Sequence, residues 1–501
     1  MLKAKIIDIT CDRRTILLRT SKAIELSLKE RDIVKVSKGS NYTTAIVTLT
    51  DTLVGDDEVG VYVETAEKIG VMDGNSLVLS PLPRSSSAQF IRKKMRGERL
   101  TGEEIHHIIQ GIVDQRASEI EIAAFVTAQA HHGMNLDEIE SMTRAMVETG
   151  STLEFDRPVF DKHSLGGVPG NKVSLVVVPI IASSGLLIPK TSSRAITSPS
   201  GTADTMNVLA EVNFTAEELN TIVKKTGAAI VWGGSLSLAP ADDIIVNVEH
   251  RLEIDPEPQM LASIMAKKMA VGTDFLVMDL PTGREAKIET NEEARHLSHM
   301  FVELGEKLGM KVKCGVTYGG QPVGHAVGPA LEAREAMKTL EGKGPTSLVE
   351  KSTALAGLLL ESAGKASRGR GSNLAKDILA SGKALEKMKE IIEAQGGDPR
   401  MKPDELPIGN CTTSLAAPCD GYVVKVSNRA ISTIARAAGA PGEKGSGVVL
   451  LGKEGQKTRR DEKILEIYAE RASKLDDAYQ LALKLKPITI EGMLIEELPE
   501  Y

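Results

Sequence analysis

The chain contains 501 residues, which is enough for several domains and a large core. Its 61 Lys and Arg residues stand against 68 Asp and Glu residues, which gives a net charge of −7, and aromatic residues make up only 3%. The lack of a basic excess and the scarcity of aromatic rings argue against binding to nucleic acid or to an anionic membrane surface.

Two further features of the sequence indicate where in the cell the protein is located. No segment is long and apolar enough to span a membrane, and the first residues lack the apolar core of a signal peptide. The four cysteines are scattered without the paired spacing of a metal site, so we expect reduced thiols. We therefore expect a cytoplasmic protein of several domains.

Residues 1–84 have the pattern of a small all-β domain. Short runs rich in Val, Ile and Thr are separated by glycines at turn spacing. The predicted strands are Ala23–Leu28, Asp32–Val36, Ala45–Leu49 and Val59–Val63. We expect a barrel or sandwich without a catalytic constellation, which serves assembly or regulation. A linker rich in Ser and Pro follows over residues 80–87.

Residues 85–156, together with about 240–270, are predicted to form an α-helical domain. A capping box at Thr101 indicates one helix start. The predicted helices are Ala88–Gly97, Thr101–Asp114, Ser118–His132 and Leu136–Gly150. The adjacent pairs His106-His107 and His131-His132 point about 100° apart on a helix, so we expect no metal site there.

Residues 157–410 alternate strand-like and helical runs, which predicts an α/β domain with a parallel or mixed sheet. The predicted strands are Val173–Ile181, Ala228–Trp232 and Phe275–Asp279. The predicted helices are Glu217–Thr226, Pro258–Lys268, Asn291–Lys307, Pro345–Glu361 and Ala375–Gln395. Residues 411–501 are predicted to form a C-terminal α/β domain, with strands Val423–Val426 and Gly447–Leu451 and a last helix Lys474–Leu485. The fold class is multi-domain α/β.

Two polar loops, Asp161–Val168 and Thr191–Thr202, flank a mostly apolar run. They contain Lys, Arg, several hydroxyls and glycines that free backbone N–H groups, a combination suited to phosphate oxygens. The segment Gly166–Ser174 superficially resembles a Walker A loop, but its spacing fails, so ATP hydrolysis is not predicted. If the glycine pair is considered alone, an ordinary tight turn is the preferred explanation. Together, the two loops predict a site for more than one anion.

The segment Asp161–Val168 closely resembles the phosphate-binding signature of the thymidine and pyrimidine-nucleoside phosphorylase family. Ser192–Asp204 resembles the next block of that family, and Ala262–Lys268 and Gly324–Gly328 follow in the same order. The resemblance runs from about Ala88 to the C-terminus. It implies the family's helical domain and α/β domain, which phosphoribosyltransferases share, and a phosphorolytic activity.

Three departures narrow the resemblance. The family's nucleoside enzymes have a base-reading Arg at a position that is Val248 or Asp242 here, depending on the alignment. The second loop is richer in hydroxyls, and an N-terminal β domain is added. These features resemble the archaeal branch that cleaves nucleoside 5′-monophosphates. This implies phosphorolysis of AMP, CMP and UMP to free base and ribose 1,5-bisphosphate, with phosphate as co-substrate, no cofactor, and a homodimer or higher homo-oligomer.

The resemblance also implies roles for individual residues. Lys162 and Ser164 would hold the attacking phosphate, with Gly167 and Thr202 near the ribose or the phosphates. Arg194 would be the fixed cation for the nucleotide's own phosphate, because a planar guanidinium can bond two oxygens at once. The segment around it consists of Ser193, Arg194, Ala195, Ile196, Thr197 and Ser198.

The departing base needs a proton, and the resemblance implies Asp255 as the acid. It could donate to a purine nitrogen if burial raises its pKa. The alternative is that Asp255 only caps the helix that follows, and His163 is the rival acid. Ser263 and Lys287 would read or orient the base or sugar; the alternative for both is a solvated surface position.

Three other functions remain open. A pyrimidine-nucleoside or thymidine phosphorylase shares the fold, but the missing base-reading Arg argues against it. A phosphoribosyltransferase of the anthranilate type needs Mg²⁺ and acidic ligands, whereas these loops are basic and hydroxylic. A non-catalytic nucleotide sensor would use the β domain as its output, and any turnover would exclude it.

Overall fold

The computed structural model describes residues 1–11, 13–82, 87–195 and 198–493. The chain divides into two compact units. The first comprises Met1–Gly150 and Ala239–Ala266, and the second comprises Ser151–Leu238 and Lys267–Tyr501. None of the helices within the described ranges is long and apolar enough to cross a membrane.

The strands of the described chain are β1 Leu2–Ile7, β2 Thr15–Arg19, β3 Ile33–Lys38, β4 Asn41–Thr50, β5 Glu58–Tyr62, β6 Ser76–Pro81, β7 Val159–Ser164, β8 Ile188–Ser192, β9 Ala228–Trp232, β10 Thr273–Thr282, β11 Lys311–Tyr318, β12 Ala326–Val327, β13 Cys411–Ala416, β14 Gly421–Val426, β15 Gly447–Leu450, β16 Lys457–Thr458, β17 Lys463–Ala469 and β18 Ile488–Glu491.

The helices are α1 Thr20–Glu25, α2 Val63–Ile69, α3 Ser87–Met95, α4 Gly102–Val113, α5 Glu119–His132, α6 Leu136–Glu148, α7 Ser174–Ser183, α8 Thr202–Met206, α9 Ala216–Thr226, α10 Pro240–Leu252, α11 Glu257–Ala270, α12 Asn291–Leu308, α13 Pro329–Leu340, α14 Thr346–Ser362, α15 Gly371–Ala380, α16 Lys383–Ala394, α17 Asn428–Ala437 and α18 Ala472–Leu485. Short 3-10 helices lie at Gly233–Leu236 and Pro403–Glu405.

In the first unit, six strands close into a barrel in the order β1-β5-β2-β4-β3-β6. Closure leaves no unpaired strand edge, and Val, Ile and Leu side chains fill the interior. The predicted strand Ala23–Leu28 is wrong, because Thr20–Glu25 forms α1. Only Ala23 of this helix is buried, and Lys22 pairs with Glu25 at the i, i+3 spacing that a helix allows.

The helical part of the first unit consists of α3 to α6 together with α10 and most of α11. Capping boxes at Thr101, Ser118 and Asn135 start α4, α5 and α6, because each side chain accepts from the third backbone N–H of its helix. The four helices predicted between Ala88 and Gly150 are confirmed to within two residues at each end.

The barrel is hydrogen-bonded to the turn that follows α4, within the same unit. Arg14 Nη2 donates to the carbonyl of Val113 at 3.1 Å, and Arg13 Nη2 donates to the carbonyl of Ala117 at 2.6 Å. The backbone nitrogen of Arg14 donates to Gln115 Oε1 at 2.9 Å. The first of these contacts satisfies a carbonyl that the end of α4 leaves without a helical partner, and the other two hold the turn that follows.

In the second unit, β11, β10 and β7 pair in that order and all pairs are parallel. β8 and β9 form a further parallel pair, and a parallel bridge between Val159 and Leu187 links the two groups. The predicted α/β class with a parallel sheet is therefore confirmed. Helices α7, α13, α14, α15 and α16 contribute to the apolar core of this unit.

Two predictions in this region are wrong. Val173–Ile181, predicted as a strand, lies largely in α7, whose residues Ser174–Ala182 are all buried. An apolar run buried on every side has no polar face, so periodicity cannot separate helix from strand. Ala375–Gln395, predicted as one helix, is α15 and α16, because Gly382 takes a φ of +78° between them.

The C-terminal part of the second unit contains two small sheets. One has the strand order β12-β15-β17-β13, and the other has the order β16-β14-β18. Together with α17 and α18 they enclose a separate apolar core. The strands predicted at Val423–Val426 and Gly447–Leu451 are confirmed as parts of β14 and β15, and the last predicted helix is α18.

Candidate active site

The segment Asp161–Val168 was predicted as a loop, but its first four residues form the end of β7, because they pair in parallel with β10. In this register Ser164, the last residue of β7, lies beside Asp279 of β10. Open parallel sheets bind ligands at the carboxyl ends of their strands, because side chains and loops from several strands converge there. Ser164 Oγ donates to Asp279 Oδ2 at 2.5 Å, and Thr317 Oγ1 from β11 donates to Asp279 Oδ1 at 2.6 Å. Both oxygens of this buried carboxylate therefore accept hydrogen bonds from hydroxyl groups.

Two lysines contact the same carboxylate. Lys162 Nζ lies 3.9 Å from Asp279 Oδ2 and donates to Ser164 Oγ. Lys351 Nζ, from α14, lies 3.2 Å from Asp279 Oδ2. Burial alone would raise the pKa of Asp279, but the charges of Lys351 and Lys162 and the two hydroxyl donors outweigh it and lower the pKa below its ordinary value.

A second buried carboxylate, Asp161, lies on β7, the neighbouring strand. Lys268 Nζ contacts Asp161 Oδ2 at 2.6 Å, and Lys190 Nζ lies 3.5 Å from Asp161 Oδ1. Burial lowers the pKa of Lys190 to about 7, although Asp161 opposes the shift, and burial likewise lowers the pKa of Lys162 to about 8. The neighbouring carboxylates therefore do not fully offset the cost of burying these ammonium groups.

The charges of these two groups do not balance. Among the described residues, four lysines pair with Asp161 and Asp279. When all six side chains are ionised, four positive charges minus two negative charges leave an excess of two positive charges. The lysines are Lys162, Lys190, Lys268 and Lys351. A buried excess of positive charge is costly without a counter-ion. An anion with two negative charges, bound at the strand end, would neutralise it.

His163 lies between these lysines in sequence and is partly buried. Burial, followed by the ammonium groups of Lys268 and Lys190, lowers the pKa of His163 well below its ordinary value. The imidazole is therefore neutral at neutral pH. A neutral imidazole is a far weaker proton donor than imidazolium, which weakens the case for His163 as the general acid.

Gly167 and Lys287 are brought into direct contact. Gly167 has a φ of +84°, and a Cβ atom on it would lie 2.6 Å from the backbone nitrogen of Lys287. The loop that carries Lys287 is tied down by its neighbour Glu285. Glu285 Oε2 accepts from Ser427 Oγ at 2.7 Å and from the backbone nitrogen of Arg429 at 3.0 Å. The C-terminal region therefore holds this loop in place.

The second loop is organised by Asp204, which lies on α8. Asp204 Oδ2 accepts from the backbone nitrogens of Ala195 at 2.7 Å and Gly201 at 3.0 Å, and Oδ1 contacts Arg194 Nη1 at 3.2 Å. The Arg194 guanidinium also lies 5.2 Å from the centre of the Trp232 ring. One carboxylate thus closes the loop on itself and orients its arginine.

The structure describes three of the other residues that were predicted to bind substrate in this segment, Ser193, Ser198 and Thr202. Ser193 precedes Arg194, and Thr202 begins α8. Ser198 is exposed, and its Oγ donates to the carbonyl of Ser200 at 3.2 Å. Ile196 and Thr197 lie outside the described residues.

Lys172, the lysine of the Walker-like segment, has a different role. Its Nζ donates to the carbonyls of Val323 at 3.0 Å and Ala326 at 2.9 Å, and to Glu335 Oε2 at 2.6 Å. Three acceptors use all three donors of the ammonium group. Lys172 therefore fixes the turn after the first loop and has no donor left for a phosphate.

Two predicted site residues belong to the first unit. Asp255 precedes α11 by two residues and is exposed, so the burial on which its role as the acid was made to depend is not seen. Ser263 lies on α11 and is partly buried. The remaining predicted residues all belong to the second unit.

Three residues of the site, Asp204, Asp279 and Lys351, were not among the residues predicted from the sequence. Asp279 stood at the end of a correctly predicted strand, where ligand-binding residues gather in parallel sheets. The helical spacing indicated that Lys351 is buried, because it lies three residues after Leu348 and four before Leu355, which are both buried. A lysine on the buried stripe of a helix needs an anionic partner. No group of three or more His, Cys, Asp or Glu side chains suited to a metal ion occurs in the described part of the chain.

Comparisons with known proteins cover almost the whole chain. The sequence model described as the helical bundle domain of the glycosyl transferase family matches residues 88–150, and that of the a/b domain matches residues 156–385. An AMP phosphorylase from Thermococcus kodakarensis is 50% identical over 498 residues, which covers 99% of both chains. An AMP phosphorylase from Pyrococcus furiosus is 48% identical and covers 99% of this chain and 98% of its own.

Among solved structures, anthranilate phosphoribosyltransferase from Thermus thermophilus superposes with a TM-score of 0.51 at 22% identity. The match covers 61% of this chain and 99% of the other. This likeness concerns the fold. It confirms the predicted architecture of a helical domain with an α/β domain.

Proposed function

The chain belongs to the AMP phosphorylases of the thymidine and pyrimidine-nucleoside phosphorylase family, and from this membership we propose that it cleaves AMP with inorganic phosphate. The enzyme is a pentosyltransferase of nucleotide metabolism. The observation that carries the proposal is the buried excess of positive charge around Lys162 and Ser164. Phosphate supplies the missing negative charge and is also the nucleophile.

In this reaction a phosphate oxygen bonds to C1′ of the ribose while the bond from C1′ to the base nitrogen breaks. The base takes the electron pair of the broken bond and a proton from the acid. Catalysis of this kind depends on positioning and on electrostatic stabilisation of the developing charges. Lys162 and Ser164 hold the nucleophile against one face of the sugar. The 5′-phosphate is untouched, so the sugar product from AMP is ribose 1,5-bisphosphate.

Arg194 and its loop bind the 5′-phosphate in this proposal. The guanidinium has five N–H donors, and its contacts with Asp204, Asn207 and Asn213 involve only the two terminal nitrogens. Donors remain for phosphate oxygens, and Asp204 fixes their direction. Ser193, Ala195, Ile196, Thr197, Ser198 and Thr202 complete the set by family resemblance.

Asp255 is the proposed acid. The family resemblance supports it, and the low pKa of His163 weighs against the rival. Asp255 is exposed, so this role requires surroundings that form around it when the nucleotide binds. Ser263 and Lys287 orient the base or the ribose, and Gly167 allows the chain to approach the substrate beside Lys287.

Further elements of the proposal rest on resemblance and composition. CMP and UMP are additional substrates, no cofactor is needed, and the protein is a homodimer or higher homo-oligomer that the N-terminal barrel helps to assemble. AMP turnover that survives treatment with a chelator would support a reaction without a metal cofactor. Sedimentation of the 53.6 kDa chain would test the homo-oligomer. The four unpaired cysteines fit a cytoplasmic location.

The decisive experiment incubates the purified protein with AMP or adenosine, with and without phosphate. The products to follow are free adenine and a bisphosphorylated sugar. We expect adenine release from AMP that requires phosphate and is far faster than release from adenosine. Turnover of uridine or thymidine with AMP inert would instead identify a nucleoside phosphorylase. Inactivity on all of these substrates would favour the alternative of a nucleotide sensor.

A further inference from the structure

Lys351 is a buried lysine that no sequence motif marks. Only 7% of its side chain is exposed, and its Nζ lies 3.2 Å from Asp279 Oδ2. Apart from this ion pair, the ammonium nitrogen makes no hydrogen bond to any of the residues that the structure describes. Buried ammonium groups are stable only when they are paired and hydrogen-bonded, so Lys351 has unused donor capacity beside the candidate phosphate site.

Ser164, by contrast, has no hydroxyl hydrogen left to donate to a ligand. Its single hydroxyl hydrogen is donated to Asp279 Oδ2 at 2.5 Å, and its oxygen accepts from Lys162. A serine hydroxyl has one donor, so Ser164 in this arrangement presents only lone pairs to an incoming phosphate oxygen. It can donate to phosphate only if it leaves Asp279. Asp279 Oδ2 would then lose a partner in a buried position, which costs free energy.

We propose that Lys351 is a positioning residue that replaces Ser164 as the donor to Asp279 when phosphate binds. The Ser164 hydroxyl turns toward a phosphate oxygen, and Lys351 Nζ, already 3.2 Å from Asp279 Oδ2, donates to that oxygen instead. Thr317 keeps its hydrogen bond to the other carboxylate oxygen at 2.6 Å. The exchange moves hydrogen bonds only, and no proton changes owner. It rests on the proposed function, because it requires phosphate at Ser164.

A purely structural role for Lys351 would be to neutralise Asp279 in the fold. A neutral side chain with an N–H group can replace Lys351 as a hydrogen-bond donor to Asp279, but it cannot replace the positive charge. Gln at position 351 has no charge but keeps an N–H group that can donate to Asp279, whereas Met has neither. The exchange therefore predicts different phosphate affinities for these two variants, and charge balance alone predicts similar ones.

The test measures the Kd of inorganic phosphate by calorimetry on the full-length protein. We expect Lys351→Met to weaken phosphate binding by on the order of 10-fold, the effect of one lost hydrogen bond to a charged group. We expect Lys351→Gln, which loses the charge but keeps an N–H donor, to weaken phosphate binding clearly less than Lys351→Met does. Lys389→Met removes a partly exposed lysine of α16 and is the matched control, which should leave the Kd unchanged.

A double-mutant cycle with Ser164→Ala tests the coupling. Without the hydroxyl there is nothing to exchange, so Lys351→Met should add less than about twofold to the loss in Ser164→Ala. Independent, multiplying losses would overturn the proposal, as would equal Kd values for the Met and Gln variants. If Lys351→Met does not fold, Lys351→Ala, which also lacks both the charge and an N–H donor, replaces it in both measurements.

Failure of the proposed function gives a different result. Phosphate that binds with no cleavage of AMP would refute the phosphorylase and leave the exchange to be judged by the Kd values. Phosphate that does not bind to the unsubstituted protein would refute both. Normal AMP cleavage with an unchanged Kd in Lys351→Met would refute the exchange alone.

Discussion

A Cβ atom on Gly167 would lie 2.6 Å from the backbone nitrogen of Lys287, so the two residues can be neighbours only while position 167 is glycine. Glu285 holds the Lys287 loop from the other side through Ser427 and the backbone of Arg429. The loop is thus placed between a glycine that it touches and a carboxylate that anchors it. Lys287 depends on both for its position.

We predict that Gly167→Ala displaces Lys287 and lowers kcat/KM for AMP by roughly 10-fold or more, because sub-ångström misplacement of a binding group is costly. Gly166→Ala is the matched control. Gly166 has a similar φ of +87° but open space at its Cβ position, so the control carries only the backbone strain of about 1–2 kcal/mol. Equal losses of kcat/KM in the two variants would attribute the effect to strain.

The kcat/KM for phosphate should fall as the pH rises through about 8. Burial lowers the pKa of Lys162 to about 8, so its positive charge is fully present below that pH and is lost above it. The measurement is kcat/KM for phosphate between pH 6 and pH 10. Lys162→Arg should remove the alkaline decline, because guanidinium stays protonated over this range. A decline that persists in the Arg variant belongs to another group.

Arg194→Ala should reduce kcat/KM for AMP roughly 10- to 100-fold, the range for losing hydrogen bonds to a charged group. The rate with adenosine should change little, because adenosine has no 5′-phosphate. Arg400→Ala is the control, since that side chain is 90% exposed. Equal losses on AMP and adenosine would assign Arg194 to the attacking phosphate instead.

Asp255→Asn should lower kcat by on the order of 10²-fold or more, as expected for loss of a general acid. Asp255→Ser separates this role from helix capping, because Ser and Asp are similarly good N-cap residues. We expect the Ser variant to keep the thermal stability of the unsubstituted protein and to lose activity like the Asn variant. Near-normal turnover in both would move the role to His163 or to solvent.

Local patterns predicted much of the secondary structure. Thr101 with Glu104 forms the predicted capping box, and α3 to α6 follow the predicted helical runs. Such signals survive because a helix start satisfies its own N–H groups from residues three positions away. The same reasoning failed for α7, where burial on all sides removed the polar face from which a helix is recognised.

The sequence by itself determined the family, the segment with Lys162 and Ser164, and many of the helices and strands, because these are written in residues that are close along the chain. Only the tertiary structure decided that Ser164 bonds to Asp279, which is 115 positions away, and that Lys351 faces the same carboxylate. Charge balance in a buried site depends on distances through space, and a linear pattern carries no measure of those distances.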